Sequence, residues 1–136
     1  MRGVMQTAVD KLTETSEPMR QIWLDFRGEW SAGKEGLPYF VLMTSFAGCM
    51  VNLYLDKELD VLQRILDTVE ELYCDEGTEV NRLLTTGLLE DIQLFLKYEN
   101  VPLSGFMALL GDESKGRWEA TRAYLEEGRP VTYEST

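Results

Sequence analysis

The fold is decided by the stretch LPYFVLMTSFAGCMVNLYL, residues 37–55, in which 19 consecutive residues carry no charge. This length is close to the roughly 20 apolar residues that a membrane-spanning helix needs. Pro38, Thr44 and Asn52 interrupt the apolar character, however, and no basic cluster flanks the stretch to orient it in a bilayer. A helix that is apolar all round is also typical of the centre of a helical bundle. We therefore expect Leu37 to Leu55 to form a buried central helix, and we expect no membrane partner.

The neighbouring segments are apolar on one face only, as helices packed around a centre should be. After Asp56 the apolar face consists of Leu59, Leu62, Leu66, Val69 and Tyr73, and the opposite, charged face consists of Asp60, Arg64, Asp67 and Glu71. No segment shows the sustained alternation of a strand. The 136 residues suit one domain. The sequence thus predicts an all-α, single-domain bundle of six or seven helices over residues 1–136, with a short polar C-terminal tail at 129–136.

The helix predicted over residues 79–98 carries one residue that does not fit its pattern. At 100° per residue, Gln93 lies on a narrow polar arc, Leu94 lies on an apolar flank, and Asp91 lies in the middle of the apolar arc. A buried carboxylate must be paired, hydrogen-bonded or protonated. Asp91 is therefore predicted to be a buried polar residue with a structural role, and the alternative is a catalytic acid or a ligand anchor.

The composition excludes most catalytic chemistry. The chain has 24 acidic and 13 basic residues, a formal charge of −11, and no histidine. Catalysis by Ser–His or Cys–His pairs and metal sites that contain histidine are thereby excluded. A phosphate-binding glycine loop, a GxSxG elbow and an SxxK motif are also missing. We predict no catalytic residue, no metal site and no cofactor, and so no enzyme. The alternative, an enzyme that uses carboxylates alone, requires Asp91 and a second acid in one pocket.

The negative charge is concentrated in one part of the chain. Between Asp56 and Glu99 there are 12 acidic and 4 basic residues, and the run from Glu70 to Glu79 has five acids and no base. Strong negative charge opposes nucleic-acid binding, whereas it speeds association with a basic protein. The predicted partner-binding residues are Asp67, Glu70, Glu71, Asp75, Glu76 and Glu79. Two alternatives stay open: a merely solvated acidic face, and docking through the loop from Ser31 to Gly36.

The cysteines and the start of the sequence bear on localisation. Cys49 and Cys74 lie in helical, partly apolar patterns without C-x-x-C spacing, so we expect two reduced and mostly buried thiols. The opening residues MRGVMQTAVDKL lack the apolar core of a signal peptide. Both observations favour a cytoplasmic protein.

One pattern resembles small all-helical bacterial immunity proteins. It consists of Gly87-Leu88-Leu89-Glu90-Asp91-Ile92-Gln93, then Leu109-Leu110-Gly111, Ser114 and Trp118. The resemblance implies a non-enzymatic inhibitor that is encoded beside a toxin of a polymorphic or contact-dependent growth inhibition system and neutralises it by direct binding. With the acidic surface, it predicts an immunity protein that occludes a basic toxin domain, for which a nuclease is one candidate, because acidic side chains imitate nucleic-acid phosphates. The alternative is a helical regulatory or assembly module that forms a homodimer or binds a small apolar ligand.

Overall fold

The computed structural model of the protein describes residues 3–30, 38–75 and 77–131, and the regular structure of these residues is entirely helical. The elements in chain order are α1 (Val4–Thr13), α2 (Glu17–Trp30), α3 (Tyr39–Leu55), α4 (Leu59–Asp75), α5 (Thr78–Arg82), a π-helical segment (Leu83–Leu89), α6 (Glu90–Tyr98), α7 (Leu103–Met107) and α8 (Asp112–Glu127). Residues 78–98 are continuously helical, so the described residues form seven helices. The predicted all-α bundle is confirmed.

Local sequence signals set several helix ends. The Ser16 hydroxyl accepts a hydrogen bond from the Met19 backbone N–H at 3.4 Å, which caps the start of α2 as the sequence predicts. α4 and α5 are separated around Gly77, whose φ of +84° is readily adopted only by glycine. Gly128, with φ of +72°, ends α8 in the left-handed conformation. Of the predicted tail, residues 132–136 lie outside the described residues.

The charge-free segment forms α3, and α3 occupies the centre. It packs against α2, α4, α6 and the π-helical segment, with Leu42, Met43 and Phe46 fully buried. The predicted central position is thus confirmed for Tyr39–Leu55, while Leu37 lies outside the described residues. One face of α3 nevertheless reaches the surface: Val41 is 48% exposed, and Asn52 is exposed as well. Among the described residues, no helix is long and apolar enough to cross a membrane.

The core joins distant parts of the chain through α3, α4 and α8. On α4, Leu62, Leu66, Val69 and Tyr73 are buried as predicted, whereas Leu59 at the start of the helix is exposed. Elsewhere in the core, the ring of Phe106 in α7 stacks on the ring of Trp118 in α8, with 5.3 Å between the ring centroids. Burial of aromatic rings makes them large contributors to a small core.

The π-helical segment changes which residues of the following helix face the core. A π turn holds more residues than an α turn, so every residue after it is rotated relative to a regular α-helical pattern. Gln93, predicted on the polar arc, is fully buried, and Leu94, predicted on an apolar flank, is 45% exposed. A helical wheel drawn at 100° per residue predicts neither the burial of Gln93 nor the exposure of Leu94.

Two further expectations about burial are corrected by the packing. The spacing of Met19, Ile22, Trp23, Phe26 and Trp30 predicts one apolar stripe on α2, but Trp30 lies at the end of that helix and is 41% exposed. Both cysteines are free, but only Cys49 is partly buried, and Cys74 in the last turn of α4 is exposed. The expectation of two buried thiols is therefore wrong for Cys74.

Candidate functional site

Four of the predicted partner-binding acids lie together on the surface where α4 ends and α5 begins. Asp67, Glu71 and Asp75 follow one another at intervals of four residues on the outer face of α4, and Glu79 lies in the first turn of α5. All four side chains are exposed. We call these four residues the acidic tip. Glu76, which was predicted to belong to the same surface, lies outside the described residues.

The acids of the tip differ from those of α8 in their ion pairing. On α8, Arg122 pairs with Glu119, Glu126 and Glu127, and Lys97 of α6 pairs with Glu126 as well. Within residues 3–30, 38–75 and 77–131, none of the four acids of the tip forms an ion pair, although Asp67 accepts a hydrogen bond from Gln63 at 2.9 Å. The negative charge of the tip therefore remains available to a partner.

The acidic tip borders an open groove between α1 and α4. Asp67 and Glu71 line this groove together with Lys11, Glu14 and Arg64. Charges of both signs are therefore mixed on the α1 side of the tip, and the exposed Arg82 lies three residues after Glu79 in α5. A basic partner would be attracted to the acids of the tip.

Glu70 does not belong to this surface, although the sequence groups it with the tip. Its carboxylate points to the start of α8, where it accepts hydrogen bonds from the backbone N–H of Glu113 (2.9 Å), the backbone N–H of Ser114 (2.8 Å) and the Ser114 hydroxyl (2.7 Å). Partial burial opposes ionisation of Glu70, but the three hydrogen bonds prevail and lower its pKa. We therefore assign Glu70 a structural role as the N-terminal cap of α8, instead of the predicted docking role.

Asp91 lies partly exposed between α6 and α3, so the prediction that it is buried is wrong. The rotation introduced by the π-helical segment moves it away from the centre of the apolar face. Its carboxylate accepts a hydrogen bond from the Thr44 hydroxyl at 2.6 Å, which joins the two helices. Among the described residues, no group of three or more acidic or cysteine side chains is placed to hold a metal ion.

Sequence reasoning missed a set of buried polar residues on the 78–98 helix and on α8. Its buried members are Asn81, Thr85, Gln93, Ser114, Arg117 and Thr121. The hydroxyls of Tyr73 and Thr85 are 2.9 Å apart, and Gln93 donates to the Trp118 carbonyl at 2.9 Å. A sequence signal for this set is the inward line predicted for the last helix, Trp118, Thr121 and Leu125, which is thin because Thr121 is only half apolar.

Comparison with protein families gives one match. The family is described as "Domain of unknown function (DUF7674)", and it matches residues 9–126. The chain belongs to this family. Comparisons with curated proteins and with solved structures give no match.

The DUF7674 match extends from α1 to the last turn of α8. It therefore includes the acidic tip, the Glu70 cap and the buried polar residues beneath α8. The description of DUF7674 assigns no activity, so a functional proposal for this DUF7674 domain depends on its geometry and charge.

Proposed function

We propose that this protein is a non-enzymatic binding module that docks a basic protein on its acidic tip, and that this partner is a toxin domain which it neutralises. The observation that carries the proposal is the contrast in pairing between the acids of α8 and those of the tip. Glu119, Glu126 and Glu127 in the second half of α8 are compensated by Arg122 and Lys97. The tip acids have no such compensation among the described residues.

The position of the tip acids on α4 supports a role outside folding. The C-terminal end of a helix carries a partial negative charge, so acidic residues there are unfavourable and basic residues are favourable. The last turn of α4 contains Asp75 and no basic residue. Repulsion among these acids also opposes compact folding. An arrangement that costs stability in the free protein is understandable if a basic partner compensates the charge on binding.

The resemblance of residues 87–118 to immunity proteins supplies the class of partner. An immunity protein of this kind would act in the cytoplasm, where it would meet the toxin domain. A nuclease is the toxin class that fits an acidic inhibitor best, because its active site is already complementary to phosphates. Electrostatic steering would let the inhibitor capture the toxin rapidly.

The test uses the catalytically inactivated toxin domain encoded beside the gene of this protein. Association rates are measured by stopped-flow fluorescence between about 20 mM and 500 mM salt, a range over which screening should slow steered association by about 10-fold or more. A tip variant combines Glu71→Lys, Asp75→Lys and Glu79→Lys. The matched control, Asp25→Lys with Glu29→Lys and Glu99→Lys, changes the net charge equally at exposed acids outside the tip.

The tip variant should associate at least about 10-fold more slowly than the control variant. Equal rates for the two variants, or a rate that does not depend on salt, would refute docking on the tip. A gene neighbourhood without a toxin, or a neighbouring toxin that does not bind at all, would refute the immunity assignment.

A second candidate function, self-association, is favoured by the exposed face of α3. In this otherwise acidic protein, the face formed by Val41, Ser45 and Asn52 carries no charge, and Asn52 lines a groove together with Tyr98 of α6, which is 84% exposed. Sedimentation velocity should then detect a dimer at micromolar concentration that Val41→Glu with Tyr98→Glu dissociates. A monomer at about 1 mM would refute this function.

A further inference from the structure

A small pocket lies between the π-helical segment and α8, and none of the acidic-tip residues lines it. Its volume is about 110 Å³, and it is more enclosed than the open grooves elsewhere on the surface. The pocket is lined by Thr85, Thr86, Glu90, Thr121, Tyr124 and Val131. The pocket therefore has room for several water molecules or for a ligand of a few heavy atoms.

The pocket coincides with the irregular part of the long helix. A π-helical segment is rare, and such segments occur frequently at functional sites. Here the segment spans Leu83–Leu89 and places Thr85 and Thr86 on the pocket wall. Glu90 follows directly as the first residue of α6. The distortion and the pocket therefore belong to the same stretch of chain.

The side chains that line the pocket offer acceptors and negative charge. The Thr121 hydroxyl already donates its hydrogen to the Arg117 carbonyl at 2.9 Å, so only its lone pairs remain available. The Glu90 carboxylate is partly buried and makes no hydrogen bond or ion pair within the part of the chain that the structure describes. Burial, together with the neighbouring charge of Asp91, raises the pKa of Glu90. No basic side chain is among the lining residues.

We propose that this pocket binds a small primary ammonium group. Its N–H donors would meet the Glu90 carboxylate and the lone pairs of the Thr121 hydroxyl, while the ring of Tyr124 would provide a cation–π contact. A calcium or magnesium ion fits less well, because these ions need several oxygen ligands and the pocket has one carboxylate. The ammonium group can come from a free small amine or from a lysine side chain of another protein.

The experiment is an NMR titration of the ¹⁵N-labelled full chain with methylammonium chloride at constant ionic strength. The amide signals of Thr85, Glu90 and Thr121 should shift and saturate, with a Kd on the order of 10 mM, as expected for a ligand of two heavy atoms. Sodium acetate and potassium chloride are the controls for an anion and for a simple monovalent cation. Nα-acetyl-lysine methylamide distinguishes the two sources of the ammonium group. It should compete with methylammonium if the pocket accepts a lysine side chain. It should fail to compete if the pocket accepts only free amines.

Three variants test whether methylammonium binds in this pocket. Glu90→Gln should weaken methylammonium binding by about 10-fold or more, because it removes the charge and keeps the shape. Glu99→Gln, which alters an exposed acid outside the pocket, should leave the Kd unchanged. Thr121→Val keeps the volume, removes the lone pairs, and should weaken binding by a factor of about 3 or more.

Several results would overturn the proposal. They are the absence of saturable shifts at about 50 mM methylammonium, equal shifts with potassium chloride, and an unchanged Kd in Glu90→Gln or Thr121→Val when that variant is folded. Because the two variants alter different elements, a folding defect in one leaves the other as a valid test.

Discussion

Replacement of Glu70 by alanine should loosen the attachment of α8 to α4 and destabilise the protein by about 2 kcal/mol. The carboxylate receives two backbone N–H groups and one hydroxyl at the start of α8. Loss of a helix cap costs about 0.5–2 kcal/mol, and hydrogen bonds to a charged group contribute about 1.5–3 kcal/mol. Ser114 is fully buried, so water cannot easily replace its partner, whereas the partial exposure of Glu70 reduces the loss. Glu70→Gln keeps an acceptor oxygen and should cost about 1 kcal/mol.

Gly111 provides a second way to disturb the same cap. A Cβ atom at this position would lie 2.5 Å from the carboxyl carbon of Glu70. The backbone of Gly111 has φ of −74° and ψ of 175°, which any residue can adopt, so the cost of Gly111→Ala arises from that contact alone. We expect a loss of about 1–2 kcal/mol in the wild-type background. In the Glu70→Ala background the same change should be neutral or stabilising by up to about 1 kcal/mol.

The assay is urea denaturation followed by far-ultraviolet circular dichroism at neutral pH, with all four members of the double-mutant cycle. Glu71→Ala is the matched control, since it removes the neighbouring, exposed acid and should change the stability by less than about 0.5 kcal/mol. The capping role of Glu70 would be refuted if Glu70→Ala cost no more than Glu71→Ala. Additive effects of the Glu70 and Gly111 changes would refute the steric link between them.

The pKa of Glu70 gives this prediction a defined pH dependence. Its pKa is lower in the folded protein than in the unfolded chain, so the folded protein favours the ionised carboxylate. The stabilisation is therefore complete above the unfolded pKa and is lost as the pH falls through the folded pKa. The stability difference between the wild type and Glu70→Gln should accordingly shrink on acidification below about pH 4.5. A difference that is constant from neutral to acidic pH would contradict the role of the charge.

Three further predictions concern other parts of the bundle. Phe106→Ala should cost about 3–5 kcal/mol in urea denaturation, because its ring is fully buried against Trp118; a loss below about 1 kcal/mol would contradict this packing. Burial raises the pKa of Tyr73, so spectrophotometric titration of the folded protein should show a tyrosine component that ionises at higher pH than in the denatured chain, and Tyr73→Phe should remove that component. Iodoacetamide should label the exposed Cys74 before the partly buried Cys49 in the native protein, and the reverse order, read by peptide mass spectrometry, would contradict the assigned burial.

Much of the fold was predictable because helical periodicity is a local property. The spacing of Leu62, Leu66, Val69 and Tyr73 identifies the inner face of α4, and the charge-free segment identifies the central helix, both without knowledge of any neighbour. Three acids of the tip, Asp67, Glu71 and Asp75, were likewise predictable as one surface, because spacing by four residues places them on one side of α4. That they form no ion pair with another described residue was not predictable, since a basic residue from elsewhere in the chain, as Lys97 does with Glu126 of α8, could have packed against them.

The sequence by itself determined that this protein is a helical bundle, where its central helix lies and where its negative charge is concentrated, because these features depend on residues close together in the chain. The tertiary structure decided the role of Glu70, whose partners are 43 and 44 positions away, and the orientation of the residues beyond the π-helical segment. One turn of irregular helix buries Gln93, exposes Leu94 and brings Asp91 to Thr44. The physical reason is that local pattern fixes the period of a helix, while packing against its neighbours fixes which side of it faces the core.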